Sequence, residues 1–159
     1  VRRTSTGTPE NGLALARLFV ATGTLAMRES RSGPRETISA VSGDGAVKLP
    51  AAVLLDGGTS AAAELFASAL LGNQRADLIG ERTIGRAADQ KLVKLPDGNG
   101  LWLSTTRYLT PSGTPLHEKG VEPTVAIDQP DLVEFGQPAP TADPALEKAI
   151  ERLSVKQAA

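Results

Sequence analysis

The segment from Pro50 to Gln90, PAAVLLDGGTSAAAELFASALLGNQRADLIGERTIGRAADQ, constrains the fold more than any other part of the chain. Ala51 to Leu55 is an apolar run of the length of a buried strand. Asp56-Gly57-Gly58 turns it, the glycines permitting positive φ and close backbone approach. Thr59 and Ser60 are N-cap candidates for a helix expected over 61–71, in which Ala62, Leu65, Phe66, Ala69 and Leu70 recur at i, i+3, i+4 spacing. Gly72-Asn73 ends the helix. A second short strand, 77–79, then leads into the glycine-punctuated loop Gly80-Glu81-Arg82-Thr83-Ile84-Gly85. A strand, a tight turn and a helix N-terminus leave free backbone N–H groups beside the first helical residues, where developing negative charge is stabilised.

The flanking chain extends this α/β pattern. Thr8 is an N-cap candidate before Pro9, opening a helix with Leu13, Ala16, Leu18, Phe19 and Val20 as its apolar residues and Thr22-Gly23 as its end. Strands are expected over 24–28 and 36–42, around a turn at Ser32-Gly33-Pro34. Beyond Gln90 the pattern becomes a hairpin, 91–95 and 101–109 about Pro96-Asp97-Gly98-Asn99-Gly100, with one packed and one partly wet face. Residues 1–128 are read as one α/β core. Residues 129–159 are read as a proline-rich connection, to Pro144, and a C-terminal helix over 145–153 carrying Leu146, Ala149, Ile150 and Leu153 on one face.

Composition excludes several classes. A net charge of −1 gives no electrostatic case for nucleic acid. No apolar run reaches the roughly 20 residues of a membrane span. With no cysteine and one histidine, His117, disulfides and multi-histidine metal centres are excluded; no metal site or cofactor is expected.

The central segment resembles the active-site region of the C-terminal processing peptidases, or tail-specific proteases. Their pattern is a strand, S-x-S-x-S-E with the middle serine as nucleophile, G-E-x-T-x-G-K with the lysine as base, and a glutamine four residues later. GTSAAAE ends at Glu64, which puts Ala61 at the nucleophile position; GERTIGR ends at Arg86, at the base position; Gln90 matches the glutamine. Residues 61 and 86 stand 25 apart, the family spacing. Arg2 and Gly7 resemble the end of D-L-R-x-N-x-G-G, a loop that implies part of an oxyanion hole, with Thr6 where the pattern has glycine. RYLTPSGTPLHEKGVEP is the most literal match, to R-Y-x-T-P-S-G…K-G-x-x-P. This block and the hairpin argue against an acyl-CoA enzyme of crotonase type.

The resemblance implies a crotonase-like α/β core with a mixed sheet, packed helices and a C-terminal hairpin, a polypeptide or peptide C-terminus as partner, and a periplasmic or secreted location. It also implies an upstream strand and a PDZ peptide-binding domain before Val1. Gly7, Gly58 and Ala62 are the oxyanion or peptide-binding candidates.

Two function classes stay open: a serine endopeptidase core, inactive or very weak as written, and a non-catalytic binder of peptide tails. A serine nucleophile needs a base, and arginine cannot serve because a guanidinium keeps its proton in proteins. Ser60 is a secondary nucleophile candidate, weighed against a helix N-cap, and Lys91 and His117 are substitute bases weighed against solvated side chains. Arg86 is read either as an anchor for a carboxylate or as a surface partner of Asp89 or Glu81. Glu64 is expected to complement the helix dipole.

Overall fold

The computed structural model describes residues 1–31, 33–128 and 142–157. The chain is α/β. The elements in order are α1 (Pro9–Phe19), β1 (Thr24–Ser30), β2 (Glu36–Ser39), β3 (Ala51–Leu55), α2 (Ala62–Gly72), β4 (Ala76–Gly80), β5 (Ala88–Lys94), β6 (Gly100–Leu109), β7 (Val125–Ala126) and α3 (Pro144–Gln157). The strands divide between two sheets. One is parallel with order β3-β4-β7; the other is antiparallel with order β2-β1-β6-β5.

Helix α2 is the centre of the core. Every residue from Ala62 to Leu70 is buried, because the helix is enclosed by α1, β1 and β4. Its alanines let neighbours approach, while Leu65, Phe66 and Leu70 each contribute about 2 kcal/mol of apolar burial. The ring of Phe66 meets Phe19 of α1 edge-on at 5.7 Å. Leu13, Ala16 and Val20 face the same core; Leu18 does not, and α1 ends at Phe19, short of the expected Thr22-Gly23. Thr8 caps α1 ahead of Pro9, its N–H donating to Asn11 Oδ1 at 2.9 Å. Arg75 holds the loop before β3 by donating to the carbonyls of Phe19, Val47 and Leu49.

Three sequence expectations need correction. Helix α2 starts at Ala62, so its N-cap is Ala61 rather than Thr59 or Ser60: Thr59 Oγ1 is spent on Val1 O and Asp56. Strand β2 stops at Ser39, short of residue 42, with Ala40 N still donating to Gly23 O across the pair. The outer hairpin has no packed face: Leu101, Trp102 and Leu103 are all exposed, because β5 and β6 run past the helices that would cover them. The proline-rich stretch expected from Gln129 lies, over 129–141, outside the described residues.

Helix α3 lies against β3 and β4 through Ala145 and Ala149, which pack on Ile79, Leu54 and Val125. Arg2 grips Asp143 at the start of this helix with two hydrogen bonds, 3.0 and 2.6 Å. At the outer edge of β3 the Val1 nitrogen donates to Leu54 O, 3.2 Å, and a 410 Å³ cavity lined by Phe19, Val53, Phe66 and Leu70 runs alongside.

Tyr108 joins the sheets' chemistry to the core. Its ring is 1% exposed and its hydroxyl donates to Asp89 Oδ2 at 3.2 Å. Burial first, then the Asp89 charge, push the phenol up to about 12. The folded value exceeds the unfolded value near 10, so this contribution is complete below pH 10 and is lost as pH rises through about 12. Urea denaturation should show stability falling by on the order of 2–3 kcal/mol across that window, with Tyr108→Phe flattening the decline. An unchanged slope in the variant would remove Tyr108 as its cause.

Candidate active site

Ala61 occupies the corner between β3 and α2 with φ 52° and ψ −117°. For a residue with a Cβ this backbone costs about 1–3 kcal/mol and persists only where the surroundings impose it. They do so here. Ser60 N is tied to Thr4 O at 2.9 Å, Ala61 O accepts from Glu64 N and Leu65 N, and Ala61 N donates to Glu64 Oε2 at 3.0 Å. A strained strand-to-helix turn of this kind lifts the side chain of its corner residue clear of the sheet, the geometry a nucleophile needs.

Glu64 does much more than complement the helix dipole. Its side chain is fully buried and accepts four hydrogen bonds. Oε1 receives Thr83 Oγ1 at 2.5 Å and Gly85 N at 2.6 Å; Oε2 receives Ala61 N and, at 2.8 Å, Arg86 N. Two backbone nitrogens bonded to one oxygen are within about 6 Å of each other. Residues 61 and 86 therefore meet at one corner. The Arg86 guanidinium is exposed and has no ion pair or hydrogen bond among the described residues.

Gly7 comes from the other side. Its φ is 102°, and a Cβ there would stand 3.1 Å from the Ala62 Cβ. The N–H groups of Gly7 and Ala62 carry no partner among the described residues, which makes them free donors beside the corner. Gly58 differs: its N–H is already committed to Asp56 Oδ1 at 3.0 Å. Next to Gly7 and Ala62 lies a 230 Å³ cavity walled by Asn11, Gly12, Leu15 and Phe66.

The other candidates are less well joined to this corner. Ser60 is buried one residue before it. Gln90 is exposed on β5 opposite Ser104 and makes no side-chain hydrogen bond among the described residues. Lys91 is exposed opposite Leu103. His117 sits in the turn whose next residue, Glu118, donates its N–H to Gly85 O; its Nδ1 is buried without a partner among the described residues. Among the described residues no cluster of His, Asp or Glu could hold a metal ion, and no helix is long and apolar enough to cross a membrane.

The alanine at 61 carries no nucleophilic atom, and the guanidinium at 86 keeps its proton. The family model of peptidase family S41 matches residues 1–127. The chain belongs to peptidase family S41. It is 34% identical over 154 residues to a carboxyl-terminal-processing protease of Synechocystis, covering 97% of this chain and 36% of that protein. Over 87 residues it is 38% identical to the carboxy-terminal processing protease CtpB of Bacillus subtilis, covering 55% of this chain and 18% of that one. The solved photosystem II D1 C-terminal processing protease is 36% identical and superposes with a TM-score of 0.69 over 80% of this chain and 33% of its own. A solved structure described as a putative peptidase from Parabacteroides merdae, 17% identical with a TM-score of 0.77 over 96% of this chain and 50% of its own, shares this fold. The chain spans about a third of the length of the first curated relatives it matches.

Sequence reading of this S41 domain missed the Glu64 clamp. The spacing between Glu64 and GERTIGR was visible, but nothing in it revealed that one carboxylate would receive donors from both segments.

Proposed function

We propose that this domain holds the extended C-terminal tail of a polypeptide at the Ala61 corner without hydrolysing it. The observation that carries the reading is a strained strand-to-helix corner filled by alanine, tied through Glu64 to Arg86, whose exposed guanidinium has no partner among the described residues. The tail's terminal carboxylate meets Arg86 and the free N–H groups of Gly7 and Ala62; an apolar side chain fills the cavity between Leu15 and Phe66. Catalysis is the ancestral activity of the family: a serine endopeptidase acting near protein C-termini, which needs a serine at 61 and a lysine at 86. A periplasmic or secreted location belongs to the same proposal and rests on the family resemblance.

Isothermal titration with a ten-residue peptide of apolar C-terminus tests the reading. Binding should weaken at least about tenfold when the terminal carboxylate is amidated, and similarly for Arg86→Gln, a loss in the range of a charge-assisted hydrogen bond. Mass spectrometry should find the peptide intact. Equal affinity for the amidated peptide would overturn the carboxylate anchor; cleavage abolished by Ser60→Ala would restore a nucleophile to the domain.

A further inference from the structure

The four donors on Glu64 do not come from one loop. Thr83 Oγ1 gives its proton to Glu64 Oε1 and at the same time accepts from Val121 N at 2.8 Å. Thr83 N donates to Val121 O at 3.1 Å, and Glu118 N donates to Gly85 O at 2.8 Å. Here the backbones are in near contact. A Cβ at Gly120 would overlap the Thr83 carbonyl oxygen, and one at Gly85 would come within 2.9 Å of Gly120 N and Lys119 N. Both glycines also have positive φ, 71° and 85°, so a side chain there is excluded twice over.

A hydrogen-bonded path thus runs from the 116–121 turn through Thr83 to Glu64, and from Glu64 Oε2 to residues 61 and 86. We infer that Glu64 and Thr83 are positioning residues through which the 116–121 turn sets the separation and orientation of residues 61 and 86. Neither side chain is placed to touch a bound peptide: Glu64 is fully buried and Thr83 is 4% exposed. The literal block LHEKGVEP is then a buttress for the corner rather than part of the binding surface. For reactivity, though not for geometry, the inference rests on residues 61 and 86 being the nucleophile and base positions.

Thr83→Val removes the central hydroxyl with little change in volume, and Thr83→Ser keeps it. With Ala61 and Arg86 unchanged, hydrogen exchange should be measured at the amides of residues 61 and 86 and, as reference, Leu78 and Ile79 in β4. Thr83→Val should speed exchange at 61 and 86 at least about tenfold more than at the reference amides, by loosening this region selectively; Thr83→Ser should restore it. Glu64→Gln offers an N–H₂ where an acceptor is needed and should produce the larger change. Exchange that rises equally at all four amides, or not at all, would overturn the inference.

A second arm uses the chain carrying Ala61→Ser and Arg86→Lys, labelled by a fluorophosphonate. The serine oxygen bonds to phosphorus, fluoride leaves and the lysine amine takes the proton. Thr83→Val should slow labelling at least about tenfold across the pH profile, with Thr83→Ser recovering it; an unchanged profile would count against the positioning role. If the parent double variant does not label at all, the assignment of 61 and 86 fails, while the exchange measurement still decides the clamp.

Discussion

Ala61→Ser combined with Arg86→Lys is expected to raise phosphonylation or peptide cleavage at residue 61 by at least about 10³-fold over the chain as it stands. Neither single change should come close, because nucleophile and base act as a unit. Serine fits the corner without new strain: it has the Cβ of alanine, and the φ of 52° is already imposed by Thr4 O, Glu64 and the first turn of α2. The backbone of residue 86 is tied to that of residue 61 by the shared Glu64 oxygen, and on the proposed reading the N–H groups of Gly7 and Ala62, unpartnered among the described residues, would receive the oxyanion. The weak point is exposure. Arg86 is not buried, so a lysine there would not be desolvated enough to lose its proton at pH 7, and the rate should climb with pH toward the ordinary lysine range near 10. A double variant that stays inert up to pH 10, with amide exchange at 61 and 86 unchanged, would end the reading of this corner as a dyad site.

The strand-turn-helix segment was legible because its signals are local. An apolar run, two glycines and helical spacing require only near neighbours, and β3, α2 and β4 fall within a residue or so of their expected limits. The corner was legible in position but not in conformation. GTSAAAE reads naturally as serine-capped helix, yet the side chains of Thr59 and Glu64 are drawn to Val1 O, Thr83 and Gly85, residues distant in sequence, and the cap moves to Ala61. The hairpin failed for a related reason. Alternation along Leu101 to Tyr108 says which residues share a face, not whether anything lies over it, and only Tyr108 and Leu109 at the inner end are covered. Glycines divide in the same way. Those in turns announce themselves, whereas Gly12 looks like a weak spot in a helix and is in fact a contact.

Gly12→Ala exposes that difference through the sign of its effect. In an isolated helix the change is favourable by about 0.8–1 kcal/mol, since glycine carries the larger conformational entropy. Here a Cβ at position 12 would overlap the carbonyl oxygen of Ala62, and its carbon and Cα lie at 2.9 and 3.1 Å. The obstacle is backbone, not the end of a flexible side chain. That backbone is the first residue of α2, held by the strained corner before it and the buried core around it. Relief requires α1 to move away from α2, opening the contact between Phe19 and Phe66. Overpacking of this kind costs about 1–3 kcal/mol and more where a rigid segment must shift. The clash wins over propensity, and Gly12→Ala should lose at least about 2 kcal/mol in urea denaturation, Gly12→Val more. The same shift would displace Ala62 from Gly7, so on the proposed function the binding of a carboxylate-terminated peptide should weaken in the folded variant. Should Gly12→Ala instead stabilise the domain, the close approach of α1 and α2 at Gly12 and Ala62 would not exist in solution.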